Sequence, residues 1–403
     1  MNLKSLLLTA ALALPVAATA AEHHNATDGL YTEDINFAEQ QYSLMLDKVG
    51  RTGRIVNPKT IDKMSRLVSI KTDDWCSGFF AGSLWYLYRL TDDKQWERQA
   101  RRYTEALDSI QYLTWHHDVG FMIGSSYLNG YRVSPSKAYK KVIVQTAKSL
   151  CTRFRPGAGV IQSWNTDRGW QSKRGWTCPV IIDNMMNLEL LFEATRLSGD
   201  STYWHVAVSH ANTTMAHQFR PDGSCFHVVD YDPVTGKVLH RQTAQGYADN
   251  SVWARGQAWA VYGFTVCYRY THDQRYLDQA VRTLNMLLGH RNMPDDLVPY
   301  WDLDAPNIPN EPRDASSTAC LASALYEMEG YLPGNGYANL ADRMLVALSS
   351  PAYRAELGKN GCFLLMHSVG SIPHNSEIDV PLNYADYYFL EALTRRQQMA
   401  AGK

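Results

Sequence analysis

Two aspartates stand where a carboxylate is unusual. Asp183 lies in Pro179-Val180-Ile181-Ile182-Asp183-Asn184-Met185-Met186-Asn187, between apolar runs. Loss of water raises a carboxylate's pKa, and an acid raised that way can donate and reclaim protons near neutral pH. The competing reading is a helix N-cap, a common post for Asp before an apolar helix. Asn184 and Asn187 weigh against it. Unpaired buried amides are costly, so both are expected to face a wet cavity or a ligand. Asp118 follows Trp115-His116-His117 and precedes Val119-Gly120-Phe121, a pattern that suits the rim of a pocket. Capping of a helix or turn explains Asp118 at least as well.

A third group crowds Gln245, Tyr247, Asp249, Trp253, Arg255, Gln257 and Trp259 into one stretch. Guanidinium and amide groups offer forked hydrogen bonds to carboxylates and hydroxyls, and indoles offer flat stacking faces. Any one of these residues suits a polar helix entry; the whole set suits a sugar. His227, in Cys225-Phe226-His227-Val228-Val229-Asp230, sits in an apolar run, where a lone histidine is more often structural. The 13 histidines lack HExxH spacing and the 7 cysteines lack a CxxC pair, so neither a metal nor a cofactor is expected. A P-loop, a dinucleotide fingerprint and a Gly-x-Ser-x-Gly elbow are likewise missing from the sequence.

The elements that must hold these residues are helical. Ser83–Leu107, Leu190–Met215, Val261–Leu287 and Leu321–Leu348 share one plan. Each has an apolar helix, a short turn with Asp or Gly, an aromatic, and an amphipathic helix. Residues 138–154 and 384–398 read as halves of further units. A helix apolar on most faces is buried on most faces. Ile181, Ile182, Met185, Met186, Leu188, Leu190, Leu191 and Ala194 read as one such inner helix. Inner helices alternating with amphipathic ones predict an all-α barrel of about five to seven hairpins rather than an open solenoid with polar caps. Within Phe219–Leu239, Asp222-Gly223 and Pro233 to Gly236 are turn signals that predict a small inserted β-hairpin.

Lys4, the apolar run Leu6–Ala18 and Ala18-Thr19-Ala20 read as a secretory leader over residues 1–20. Residues 21–403 are then expected to form a single exported domain, periplasmic by the style of the leader. The leader's run is too short for a membrane span. Lys and Arg total 39 against 40 Asp and Glu, which argues against a general binder of nucleic acid. No membrane partner is expected, and the oligomeric state is not legible.

One ordered set of motifs is more specific. It runs through Trp75-Cys76-Ser77-Gly78-Phe79-Phe80-Ala81-Gly82, His117-Asp118-x-Gly-Phe and Ile182-Asp183-Asn184-Met185-Met186-Asn187. It continues through Asp222-Gly223-Ser224-x-x-His227 and Gln245-Gly246-Tyr247 to Trp253-x-Arg-Gly-Gln-Ala-Trp259. In this order, over nearly all of the chain after residue 20, it resembles the unsaturated glucuronyl hydrolases, glycoside hydrolase family 88. The resemblance implies an (α/α)6 barrel. It implies release of 4,5-unsaturated uronic acid from lyase-generated glycosaminoglycan oligosaccharides by hydration of the C4=C5 bond, not by displacement at the anomeric carbon.

Carried over by motif, Asp183 is the implied general acid/base and Asp118 the second essential carboxylate. Asp118 would hold sugar hydroxyls and keep Asp183 protonated by like-charge coupling. His117, His227, Gln245, Arg255, Trp259 and Trp75 are the implied substrate contacts. Trp164, Trp170 and Trp176 should add a stacking wall. Ser368 and Ser371 match positions that meet a sulfate in some members, but Pro373 stands where those members carry a lysine. Two further readings remain in view: an unsaturated rhamnogalacturonyl hydrolase acting on pectin fragments, and a sugar-binding toroid without catalysis. A conventional inverting glycosidase is a weaker fourth.

Overall fold

A computed structural model describes residues 13–402, with side chains from residue 29 onward. Residues 1–12 of the leader lie outside it, and residues 13–20 lie outside the described side chains.

Helices are numbered in chain order. Six are sheathed on nearly all faces: α2 (Gly78–Thr91), the pair α4 (Val119–Ile123) and α5 (Asn129–Val133), α7 (Leu188–Ser198), α9 (Ala254–Thr271), α11 (Ala315–Tyr331) and α13 (Asn383–Ala400), with α4 and α5 counted as one helix broken by a π-helical turn at Gly124–Leu128. Six more pack outside them: α1 (Ala13–Gly50), α3 (Lys94–Glu105), α6 (Lys137–Cys151), α8 (Thr202–His217), α10 (Gln274–Leu288) and α12 (Tyr337–Leu348). Neighbouring inner helices touch in chain order, and α13 packs on both α11 and α2, so the ring closes as an (α/α)6 barrel.

The inner ring is tight because its helices carry small residues. A Cβ on Gly78 would lie 2.0 Å from the Met122 carbonyl oxygen, and one on Gly82 would lie 2.4 Å from the Tyr387 ring. These close approaches admit only glycine. The polar turns of the repeats serve as caps. Asp93 accepts from the Gln95 N–H at 2.7 Å and Asp273 from the Arg275 N–H at 3.1 Å, which satisfies donors that start α3 and α10. Trp96 and Tyr276, the aromatics after those turns, are buried. No described helix is long and apolar enough to cross a membrane, and all seven cysteines are free.

Short strands decorate the barrel. β1 (Asn57–Ile61) pairs with β2 (Leu67–Ile70), β3 (Phe154–Arg155) with β4 (Val160–Ile161), and β8 (Ser368–Ser371) with β9 (Ser376–Val380). The expected hairpin is present as β6 (Val228–Tyr231) and β7 (Val238–Gln242), but it is part of a larger unit. β5 (Cys178–Ile181) joins it in a three-stranded antiparallel sheet. The inner helix read from Ile181 to Ala194 is therefore three elements: strand β5, a 3-10 turn at Ile182–Asn187, and α7. Its unbroken apolarity hid the change, because a buried strand and a buried helix look alike in a short apolar run.

All six inner helices run in the same sense. Trp75, Asp118, Asp183, Arg255, Asp314 and Tyr384 lie at their N-terminal ends, whereas Arg89, Arg132, Glu193, Arg269, Glu327 and Arg395 lie toward their C-terminal ends. The N-terminal face forms the mouth that holds the motif residues.

Candidate active site

Sheet register brings the first two groups together. Ile181 of β5 pairs with Val228 of β6, and the Ile182 N–H donates to the His227 carbonyl at 3.0 Å. The chain then turns, and Asp183 Oδ2 stands 3.8 Å from His227 Nε2. Asp183 is buried and caps nothing. Burial lifts its carboxyl to about 6, against the opposing charge of Arg255 and the nearby Trp259 indole. Asp183 Oδ2 and Trp259 Nε1 have no hydrogen-bond partner among the described residues.

The His227 tautomer follows from its neighbours. Nδ1 accepts the backbone N–H groups of Ala244 at 3.0 Å and Gln245 at 3.1 Å. Burial, and then the charge of Arg255, push its pKa well down. The ring is therefore neutral with its proton on Nε2, so it offers a donor toward Asp183. The residue that looked structural is held structurally on one edge and left open on the other.

Asp118 occupies the N-cap position of α4, yet its side chain makes no cap hydrogen bond. Its Oδ1 lies 3.1 Å from His117 Nε2. Burial first, and then the charge of Asp183, raise its pKa well above the usual carboxylate range. The two carboxyls thus act as a coupled pair that favours holding protons. Burial, followed by the charge of His116, keeps His117 neutral. Donor atoms of the consecutive residues His116, His117 and Asp118 lie within 4.8 Å of one another, a spacing that could admit a cation. No interval rule flags three adjacent residues, so the sequence reading gave His117 and Asp118 substrate roles and did not group them with His116.

Asn184 and Asn187 do not face a wet cavity, which corrects the expectation for both. Asn184 Nδ2 donates to the Ile161 carbonyl at 2.7 Å, and Asn187 Nδ2 to Asn184 Oδ1 at 2.9 Å. Asn187 Oδ1 accepts from the Phe121 N–H at 3.0 Å. The pair ties the Asp183 turn to α4 and so fixes the separation of Asp183 and Asp118. Gln257 and Asp249 are also latches. Gln257 Oε1 accepts from the Cys225 N–H at 2.8 Å and Asp249 Oδ1 from the Thr243 N–H at 2.8 Å.

Arg255 is buried and committed to protein. Its Nη1 donates to Asp314 at 2.9 Å and to the Val369 carbonyl. Its Nη2 donates to Gln245 Oε1 at 3.2 Å and to the Gly370 carbonyl at 2.6 Å. It therefore pins β8 and Gln245 against the mouth and supplies a positive field beside Asp183. Ser368 Oγ is buried without a partner, and Ser371 Oγ meets His374 Nδ1 at 2.7 Å.

Aromatic rings make the walls. Trp75 contacts Phe79, Phe121 and Tyr384, with centroids 5.8, 5.5 and 5.0 Å apart. Trp164 packs on Trp170 at 5.0 Å and Trp176 at 5.6 Å, and faces His117 and His227. A cavity of about 340 Å³ opens between Trp75, Trp115, His117, Asp118, Trp164 and Arg168. Two residues of this end were not singled out from sequence. Tyr384 is buried with an unpartnered hydroxyl beside Trp75 and Arg255. Arg153 binds the Thr114, Gln162 and Ser163 carbonyls at 3.1, 2.9 and 2.9 Å, and so joins the two loops that carry the cavity walls. Nothing in the local pattern of Tyr384 separates it from its tyrosine neighbours, and Arg153 reads as a helix-end cation.

Comparison with known proteins gives the family and agrees with the fold. The family model described as Glycosyl Hydrolase Family 88 matches residues 50–402. The chain is 47% identical over 331 residues to an "Unsaturated glucuronyl hydrolase" of Formosa agariphila, which covers 82% of each chain. It resembles the crystal structure of an unsaturated glucuronyl hydrolase specific for heparin, with a TM-score of 0.87 and 41% identity over 93% of this chain and 98% of that one. It also resembles a mutant unsaturated glucuronyl hydrolase of Streptococcus agalactiae complexed with dGlcA-GalNAc6S, with a TM-score of 0.74, 29% identity and 91% of each chain covered.

Proposed function

The chain belongs to glycoside hydrolase family 88, and from that premise we propose how its own residues release 4,5-unsaturated uronic acid from glycosaminoglycan oligosaccharides. The single observation that carries the assignment of roles is the buried Asp183 carboxyl, raised to about 6 by burial, with its Oδ2 unpartnered and faced by the His227 Nε2 donor.

Protonated Asp183 gives its proton to C4 of the enol ether while water adds at C5. The water's second proton returns to Asp183. The C5 hemiketal opens to a ketone, the ring oxygen takes a proton, and C1 is left as a hemiacetal that expels the second sugar. Charge develops at C5 and the ring oxygen, and neutral donors suit it better than a fixed cation would. His227 Nε2–H and the Gln245 amide nitrogen orient the water and the sugar. Asp118 holds hydroxyls and, by coupling, keeps a proton on the pair. Trp75 and the wall of Trp164, Trp170 and Trp176 clamp the rings, with Trp259 behind Asp183. Six inner-helix N-termini present partial positive charge to an anionic substrate. Export of the enzyme, resting on the leader read in residues 1–20, belongs to the same proposal.

The test is the ultraviolet absorbance of the unsaturated sugar, which hydration abolishes. Wild type should consume unsaturated heparin or chondroitin disaccharides, and Asp183→Asn should not. Consumption confined to an unsaturated rhamnogalacturonan disaccharide would replace this reading with the pectin-directed one. No consumption of any of the three would leave a sugar-binding toroid or a conventional glycosidase.

A further inference from the structure

A cavity of about 610 Å³ lies at the C-terminal ends of the inner helices, away from the mouth. Four guanidiniums line it, those of Arg89, Arg132, Arg269 and Arg395, against the three carboxylates of Glu193, Glu327 and Glu391. Side chains on a helix lean toward its N-terminus, so arginines near these helix ends aim their heads back into the barrel. Three of the four are spent inside the protein. Arg132 pairs with Glu189 at 2.5 Å, Arg269 with Glu327 at 2.5 Å and also with Glu189, and Arg395 with Glu327 at 2.8 Å. The carboxylates are equally committed. Glu193 takes Arg196 at 2.8 Å and the Tyr270 hydroxyl at 2.6 Å. Glu391 accepts the hydroxyls of Tyr86 at 2.5 Å, Tyr262 at 3.0 Å and Ser323 at 2.7 Å.

Arg89 is the exception. Its guanidinium has no hydrogen bond and no ion pair among the described residues, and its Cζ stands 5.6 Å from the Tyr86 ring centroid. Burial first, and then the like charges of Arg132 and Arg395, lower its pKa. A cation in a last turn is commonly explained by the helix dipole. That explains a charge at the rim, not an unpaired head gathered with three others in a cavity. On the adjoining helix, the Gln398 amide faces the same cavity and also lacks a partner among the described residues. Gln397 Nε2 donates to the Leu90 carbonyl at 3.1 Å, which fastens the ends of α13 and α2 side by side. Arg89 and Gln398 thus offer donors from neighbouring helices. Tyr270, Tyr326 and Tyr331 supply flat walls, their hydroxyls bound to Glu193, Asp342 and Glu327. Aromatic walls, a few uncommitted polar groups and this volume suit a small molecule.

We propose that this cavity is a second ligand site, remote from the reaction, which takes a small organic acid with its oxyanion on Arg89 and Gln398 and its body between the tyrosines. Titration calorimetry on the full chain at fixed ionic strength tests it, with inorganic phosphate and glucuronate as probes. At least one probe should bind wild type and Asp183→Asn alike. Arg89→Gln should raise its Kd about 10-fold, the loss of a charge-assisted contact, and Arg89→Lys should raise it less. Gln398→Ala should give a smaller rise than Arg89→Gln. Circular dichroism and kcat of Arg89→Gln should match wild type, since the change breaks no hydrogen bond or ion pair within the protein. Binding of phosphate alone would mark a phosphorylated ligand, and binding of glucuronate alone a sugar acid; either supports the proposal. Binding that persists unchanged in Arg89→Gln would belong to the mouth and would overturn it. Absence of binding by both probes would overturn it too, and would leave Arg89 as a complement to the helix dipole. None of these outcomes depends on the hydrolase reading.

Discussion

At the C-terminal end of the barrel, Glu189 meets Arg132 and Arg269, and Glu327 meets Arg269 and Arg395. Burial alone would raise both carboxyls, but the guanidiniums outweigh it and hold each at about 2. At the N-terminal end, Asp183 and Asp118 form no ion pair with a guanidinium; neutral imidazoles stand nearest, the Arg255 charge only partly offsets burial at Asp183, and burial prevails. The two ends also differ in space. The larger cavity, about 610 Å³, is at the C-terminal end among paired charges, while the mouth holds about 340 Å³. Volume therefore points to the wrong end. Buried polar atoms without a hydrogen-bond partner occur in several places, among them Ser83 Oγ, Thr195 Oγ1 and Tyr231 Oη, but six of them gather at the mouth: Asp183 Oδ2, His117 Nε2, His227 Nε2, Trp259 Nε1, Ser368 Oγ and Tyr384 Oη. Carboxylate charge at the C-terminal end is paired within the protein, and the cluster of open polar atoms at the mouth is placed to meet a substrate.

The contrast can be broken by exchanging the roles of the two ends. The largest effect is expected from Asp183→Asn, with kcat down at least about 10³-fold in the absorbance assay and the fold intact by circular dichroism. Glu327→Gln should do the reverse. It strands guanidinium charge, and urea unfolding should show a loss of about 2–4 kcal/mol with kcat per folded molecule unchanged. Next comes His227→Ala, which removes one oriented donor and should lower kcat about 10- to 100-fold.

Stability against pH sharpens the comparison because the two signs oppose. The folded pKa of Asp183 is raised, so its contribution is fully present below the unfolded value of 3.8 and is lost as pH rises through about 6. Asp183→Asn should thus stabilise the protein by roughly 2–3 kcal/mol at pH 8 and hardly at all at pH 4. Glu327 is depressed, so its contribution is present above the unfolded 4.5 and is lost as pH falls through about 2. The penalty of Glu327→Gln should fade over that acid range. The smallest effect expected is on rate: since the protonated acid is required, kcat/KM should decline above an apparent pKa near 6.

The repeat plan was legible because each of four units alternates a sheathed helix with an amphipathic one across a capped turn, as in α2–α3 and α9–α10. The second inner helix was not, because Gly124 and Gly130 and the π-turn between α4 and α5 break its period. The tie between α1 and α13, the Tyr42 hydroxyl donating to Asp386, was also out of reach, since it joins distant parts of the chain. At the site, residue types drew attention to Asp183 as a desolvated carboxylate, and the structure buries it. They misassigned Asn184 and Asn187, whose partners Ile161 and Phe121 are distant in sequence. They could not show that Arg255 is already spent on β8. Tertiary hydrogen bonding decides whether a polar residue is a latch or a ligand, and that information is not local.

The central claim is that Asp183 delivers a proton to C4 of an enol ether. Nuclear magnetic resonance of early product formed in deuterated water tests it most directly. One deuterium at C4, placed on a single face, with the double bond gone and Asp183→Asn inert, is the expected result. Release of the uronic acid with its C4=C5 bond intact and C4 undeuterated would contradict it.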